Sequence, residues 1–135
     1  MASQWGVDDI KAISELAKRV NTDYEALSDY KHIAQKVKAL QTRIDHASQY
    51  FGGTALKEDD QHEGQEVLKG CHGVLENLSH LVEKYNRLHS TNPNLAFKRV
   101  KYNEDGIATL SKRLASNTKL LNKFIQRFDI STIII

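Results

Sequence analysis

The chain has 135 residues, 40% of them apolar and 27% charged, with one cysteine, one proline and a formal net charge of +2. This length suits one domain that buries about two-thirds of its unfolded surface, and the composition excludes a disordered chain. The near-balanced charge argues against a dedicated nucleic-acid binder, and the lone Cys71 excludes an internal disulfide framework and fits a reducing compartment.

Residues 1–20 lack the continuous apolar core of a secretory signal, because Asp8, Asp9, Lys11, Glu15, Lys18 and Arg19 interrupt it. No window reaches the roughly 18 apolar residues of a membrane-spanning helix. Asn77-Leu78-Ser79 matches a glycosylation triplet, but it falls inside a helical pattern. The expected location is therefore cytoplasmic.

The first helix is predicted from about Val7 to Val20, with Ile10, Ile13, Leu16, Ala17 and Val20 inward. Thr22, followed three residues later by Glu25, resembles a capping box and predicts that a second helix starts there. Its apolar stripe runs Leu27, Tyr30, Ile33, Ala34, Val37, Leu40, Ile44, Ala47 and Phe51, and Gly52-Gly53 is its expected stop. Thr54 to Gln61 is acidic and reads as a surface loop.

A third helix is predicted from about Asp60 to Leu88, with Cys71, Val74, Leu75, Leu78, Leu81, Val82, Tyr85 and Leu88 on one face. Gly70 and Gly73 each cost a helix about 1 kcal/mol relative to alanine, which close approach of a neighbouring helix would offset. Asn92-Pro93 suits a helix start, so a short helix is expected near residues 95–101. Asn103 can cap a final helix to about Phe128, whose inward face reads Ile107, Leu110, Leu114, Leu120, Leu121, Phe124, Ile125 and Phe128. Residues 130–135 are apolar, uncharged and β-prone, and read as a tail or the start of a linker after a domain of residues 1–129. The expected fold is all-α, an up-and-down bundle of about four long helices plus the short one.

Sites of chemistry are scarce. His62-Glu63-Gly64-Gln65-Glu66 resembles a zinc-protease helix whose second histidine is replaced by Glu66, which removes half of the ligand pair. His72 and His80 share a helix face without a third ligand at useful spacing. Cys71 falls on the apolar stripe and reads as a buried, inert thiol. Lys69-Gly70 follows the pattern of histidine phosphotransfer domains, but the phosphorylated histidine three residues before the lysine is Glu66 here. No catalytic residue, metal or cofactor is expected, and the chain does not read as an enzyme.

The basic residues Lys98, Arg99, Lys101, Lys112, Arg113, Lys119, Lys123 and Arg127 make the C-terminal third positive, while Glu58, Asp59, Asp60, Glu63 and Glu66 form a negative patch. The plain reading is a solvated polar face on each helix. The sharper one is a basic face that meets anionic lipid or an acidic partner, with opposite patches able to drive head-to-tail self-association.

Three segments together carry a family resemblance: Val7 to Ile10 with Ala12 to Ala17, Gly70 to Tyr85, and Arg113 to Asn122, joined by Phe97 to Tyr102. They resemble the N-terminal helical domains of fungal NOD-like (STAND) receptors of the HeLo-like and SesA-like group. The resemblance implies a helical output module of an innate immune or heterokaryon-incompatibility receptor, acting by oligomerisation and protein–protein contact in programmed cell death. It supplies no catalytic residues. Some members permeabilise the plasma membrane, and a membrane-recruited executioner using Trp5, Ile10, Ile13 and Leu16 is the alternative reading. Asp8 and Asp9 would be repelled by an anionic surface and count against it. A degenerate phosphotransfer domain and a plain helical scaffold are further alternatives.

Overall fold

A computed structural model describes residues 7–27, 30–51, 57–91 and 104–134 of the chain. Four helices account for nearly all of them: α1 (Val7–Glu25), α2 (Lys31–Ser48), α3 (Glu58–Thr91) and α4 (Glu104–Ile134). Among the described residues there is no strand, and the expected all-α bundle is what forms. The expected short helix near residues 95–101, the Gly52-Gly53 stop and the Asn103 cap lie outside the described residues.

Cross-helix contacts fix the directions. Ser14 Oγ donates to Asp45 Oδ1, and Asn21 Nδ2 donates to the Ala34 carbonyl at 2.7 Å, so α1 and α2 are antiparallel. Lys36 reaches Ser111 while Arg43 reaches Asn122, which makes α2 and α4 parallel. Arg127 meets Asp60 and Glu63 near the start of α3, whereas Gly73 faces Arg113, so α3 and α4 are antiparallel. Successive helices thus alternate in direction, but their order around the bundle is α1, α2, α4, α3. The pairs α2–α3 and α1–α4 are diagonal: the backbones of α2 and α3 barely approach, and no α-carbons of α1 and α4 come within 8 Å among the described residues.

The core is the sum of the inward stripes: Ile10, Ile13, Ala17 and Val20 from α1, Ile33, Val37, Leu40 and Ile44 from α2, Leu68, Val74, Leu75 and Leu78 from α3, and Leu114, Leu121, Phe124 and Ile125 from α4. Such burial, at about 25 cal/mol per Å² of apolar surface removed from water, is the main force holding amphipathic helices in a bundle. Among the described residues, no buried side-chain nitrogen or oxygen is left without a hydrogen-bond partner.

Several boundaries differ from the sequence expectation. Thr22 does not cap a new helix: it lies inside α1, and its hydroxyl donates back to the Lys18 carbonyl at 3.1 Å. The reason is Tyr24, four residues after Val20 and the next inward position on the same face, which is buried and extends the helix by one turn. The Tyr24 hydroxyl donates to the Leu78 carbonyl at 2.9 Å and ties α1 to α3. Burial pushes the Tyr24 phenol well above its usual range, and Tyr30 and Asp23 add to the rise. The second helix accordingly begins at Lys31 instead of Thr22. The segment read as a surface loop to Gln61 is helical from Glu58, where three carboxylates in the first turn oppose the positive helix end. The β-prone tail is also helical, since α4 runs unbroken to Ile134. Extending an existing helix adds a hydrogen bond per residue without a new nucleus, so local β-propensity loses.

One expected inward residue faces out. Leu120 is 50% exposed, although the sequence pattern puts it on the α4 stripe beside Leu121. Leu114, Leu121 and Ile125 fall within about 40° of one another and centre the inward arc of α4, whereas Leu120 lies about 100° from Leu121 and falls outside it.

The glycines of α3 mark close contacts, though not all where expected. A methyl built at Gly64 would sit 2.5 Å from Phe51 Cζ and 2.7 Å from Phe124 Cζ, two rings stacked with centroids 5.9 Å apart. At Gly70 it would meet Asn117 Oδ1 at 2.7 Å, so α3 and α4 approach closely there as well. Gly73 is looser, with Arg113 Nη2 at 3.6 Å.

Candidate functional site

Of the eight basic residues read as one C-terminal face, five are described, and two of these turn toward α3. Lys98, Arg99 and Lys101 lie outside the described residues. Arg113 is half-buried and turns toward α3, beside Gly73. Arg127 also turns toward α3, where it pairs with Asp60 at 3.1 Å and with Glu63 and covers the rings of Phe124 and Phe128. The hydrogen bond to Glu63 raises the Arg127 guanidinium further above its already high range. Lys112, Lys119 and Lys123 remain as an outward row, at positions i, i+7 and i+11 that fall within about 40° of one another.

The structure adds two cations from α2 that the sequence reading missed. Between the parallel helices α2 and α4 runs an open groove of about 710 Å³ lined by Lys36 and Arg43 from one side and Lys119 from the other. Its remaining lining is small or neutral: Ala39 and Thr42 from α2, Ala115, Thr118 and Asn122 from α4. No carboxylate is among the lining residues. Lys36 Nζ donates to Ser111 Oγ at 2.6 Å and Arg43 Nη1 to Asn122 Oδ1 at 3.2 Å, so neutral partners hold both cations in place without cancelling their charge. The hydroxyls of Thr42 and Thr118 donate to carbonyls of their own helices, at Lys38 and Leu114. The groove is therefore positively charged, with methyl groups and alkyl stems as its floor.

The signal for Lys36 and Arg43 was available in part. They are seven residues apart on the polar side of the α2 stripe, so they share a face. That this face adjoins Lys119 depends on α2 and α4 being neighbours, which no local pattern encodes.

A second groove, about 310 Å³, lies between α1 and α3. It gathers His72, Glu76, His80 and Glu83 from α3 against Arg19 and Leu16 from α1, so the two histidines do share one surface. His72 Nδ1 lies 3.2 Å from Glu76 Oε1. Nearby, burial pushes the Asp23 carboxyl up and Glu83 adds to this, against the opposing pull of Arg19. Among the described residues no three histidine, cysteine, aspartate or glutamate side chains are placed to hold a metal ion.

The other sequence candidates fall into the scaffold. Glu63 is held by Arg127, and Glu66 pairs with Lys69 at 3.4 Å. Cys71 is fully buried, and burial pushes its thiol up to about 12. Ile10 and Ile13 sit in the core and Leu16 packs against it, while Trp5 lies outside the described residues. In the packed bundle α1 therefore offers no apolar surface through Ile10 or Ile13. Among the described residues no helix is long and apolar enough to cross a membrane.

No family model matches this chain, and no curated protein or solved structure matches it either.

Proposed function

We propose that this chain is a non-enzymatic signalling module that works by self-association and protein–protein contact, with the α2–α4 face as its docking surface. The reading rests above all on the groove in which Lys36, Arg43 and Lys119 line a floor of small side chains with no carboxylate among them. A positively charged surface of this kind is suited to recognition, where charge steers the encounter and selects the partner. The resemblance to the helical output domains of fungal receptors supplies the biological setting: a cytoplasmic, cell-death-inducing module that fires when copies are brought together. Clustering converts weak contacts into a stable assembly through effective concentration.

The test is forced clustering. The chain is fused to a drug-inducible oligomerising domain and expressed in a fungal cell, and growth and dye uptake are followed after induction. Growth arrest on clustering that disappears in Lys36→Glu/Lys119→Glu, a pair remote from the core, is the expected result. Unimpaired growth on clustering, or arrest indifferent to the substitutions, defeats the proposal. Arrest with immediate dye uptake would replace it with membrane permeabilisation.

A further inference from the structure

The groove and the acidic start of α3 match one another in more than sign. On α2, Lys36 and Arg43 are seven residues apart, about 10 Å along the axis at 1.5 Å per residue. On α3, Asp59 and Glu66 are also seven apart, with Glu63 between them at i+4, and all three are exposed on the side away from buried Gly64 and Leu68. The cations are strung along the groove and do not converge on one point, an arrangement suited to a row of carboxylates and not to a single phosphate. Ala39 and Ala115 allow another helix to come close.

We propose that the α2–α4 groove of one molecule receives the acidic face of α3 from a second copy, joining copies head to tail. A molecule cannot satisfy its own groove, because α3 lies diagonal to α2 and its acidic face points outward. The present partners of these carboxylates do not prevent the exchange. Glu66 is held by Lys69 at 3.4 Å and Glu63 by Arg127, both in exposed pairs that solvent already weakens. The contact joins two different surfaces, so it is heterologous and propagates into a ring or an open chain. The proposal rests on the self-association reading above and names its partner.

Sedimentation equilibrium over a wide concentration range, at low and high salt, tests it. Two neutralised variants are compared, Lys36→Gln/Lys119→Gln for the groove and Asp59→Asn/Glu66→Gln for the acidic face, with helicity and melting temperature checked by circular dichroism. Should either double variant melt early, Lys119→Gln and Glu66→Gln replace them, since both side chains are exposed. Wild-type mass should rise past that of a dimer with concentration and fall with added salt. Each variant alone should associate about tenfold more weakly or worse. An equimolar mixture should recover association but stop at two copies, because only one intact groove and one intact face remain to meet. A wild type that stays monomeric at low salt, one that closes at a dimer, or a mixture that does not recover would overturn the proposal. Forced clustering imposes proximity by other means, so growth arrest there alongside monomeric protein here would discard this interface and leave the signalling reading standing.

Discussion

Replacing Gly64 by alanine pits two opposite effects against each other. Alanine is favoured over glycine inside a helix by about 1 kcal/mol, so propensity alone makes the substitution stabilising. The added methyl would lie 2.5 Å from Phe51 Cζ and 2.7 Å from Phe124 Cζ, well inside contact distance. Neither ring can swing away freely, because they stack on each other and Phe124 is also packed on Phe128 at 4.8 Å between centroids. Overpacking a filled core costs about 1–3 kcal/mol, so the net effect is a loss of about 1 kcal/mol. For a chain of this size that lowers Tm by about 3–4 °C. Gly106 is the control, with nothing within 4 Å of a built methyl, and Gly106→Ala should hold or raise Tm by as much as about 3 °C. Thermal melts followed at 222 nm compare the two. If Gly64→Ala stabilises as much as Gly106→Ala, the aromatic contact does not constrain this site and the argument fails.

Tyr24→Phe removes the hydrogen bond to the Leu78 carbonyl, which keeps its place in the α3 ladder, and should cost about 1 kcal/mol in a denaturant titration. Because the folded-state pKa of Tyr24 is raised, the native state holds this proton more tightly than the unfolded chain does. Stability is then intact below the ordinary phenol range near 10 and falls as pH rises above it, and Tyr24→Phe should flatten that decline. Cys71, buried and with its thiol pushed up to about 12, should resist a thiol-reactive dye in native protein and react at once in guanidinium; fast native labelling would place it at the surface. Leu78→Asp buries an unpaired carboxylate in the core and should abolish the cooperative melt, whereas Lys119→Glu/Lys123→Glu should leave Tm within about 2 °C.

The sequence was most legible where a single helix face decided the outcome. Ile33 to Ala47 and Val74 to Leu78 repeat at three and four residues, and every one of the stripe positions there is buried. Boundaries were read less well because capping signals are local and tertiary burial is not. Thr22 and Glu25 have the right spacing for a cap, but burying Tyr24 against Leu78 outweighs it. Tyr24 itself was missed because the capping reading ended the first helix at about Val20 and assigned Tyr24 to the start of the next one. The basic face was the least legible. Arg127 counts as positive charge in the sequence but meets Asp60 and Glu63 in space, while Lys36 and Arg43 gain their meaning only when α4 arrives beside α2.

The ring order α1, α2, α4, α3 also sets the electrostatics of the helix ends. In a bundle whose neighbours are all antiparallel, each positive helix start sits beside two negative ends, and the dipoles cancel locally. Here α1 and α3 run side by side in the same direction, so their two starts share one edge of the bundle. Each carries roughly half a positive charge and has one antiparallel neighbour, α2 or α4, in place of two to offset it. The chain places Asp8 and Asp9 in the first turn of α1 and Glu58, Asp59 and Asp60 in the first turn of α3, at that same edge. An acidic patch that looks like excess charge in the sequence is thereby the counterweight to two aligned dipoles.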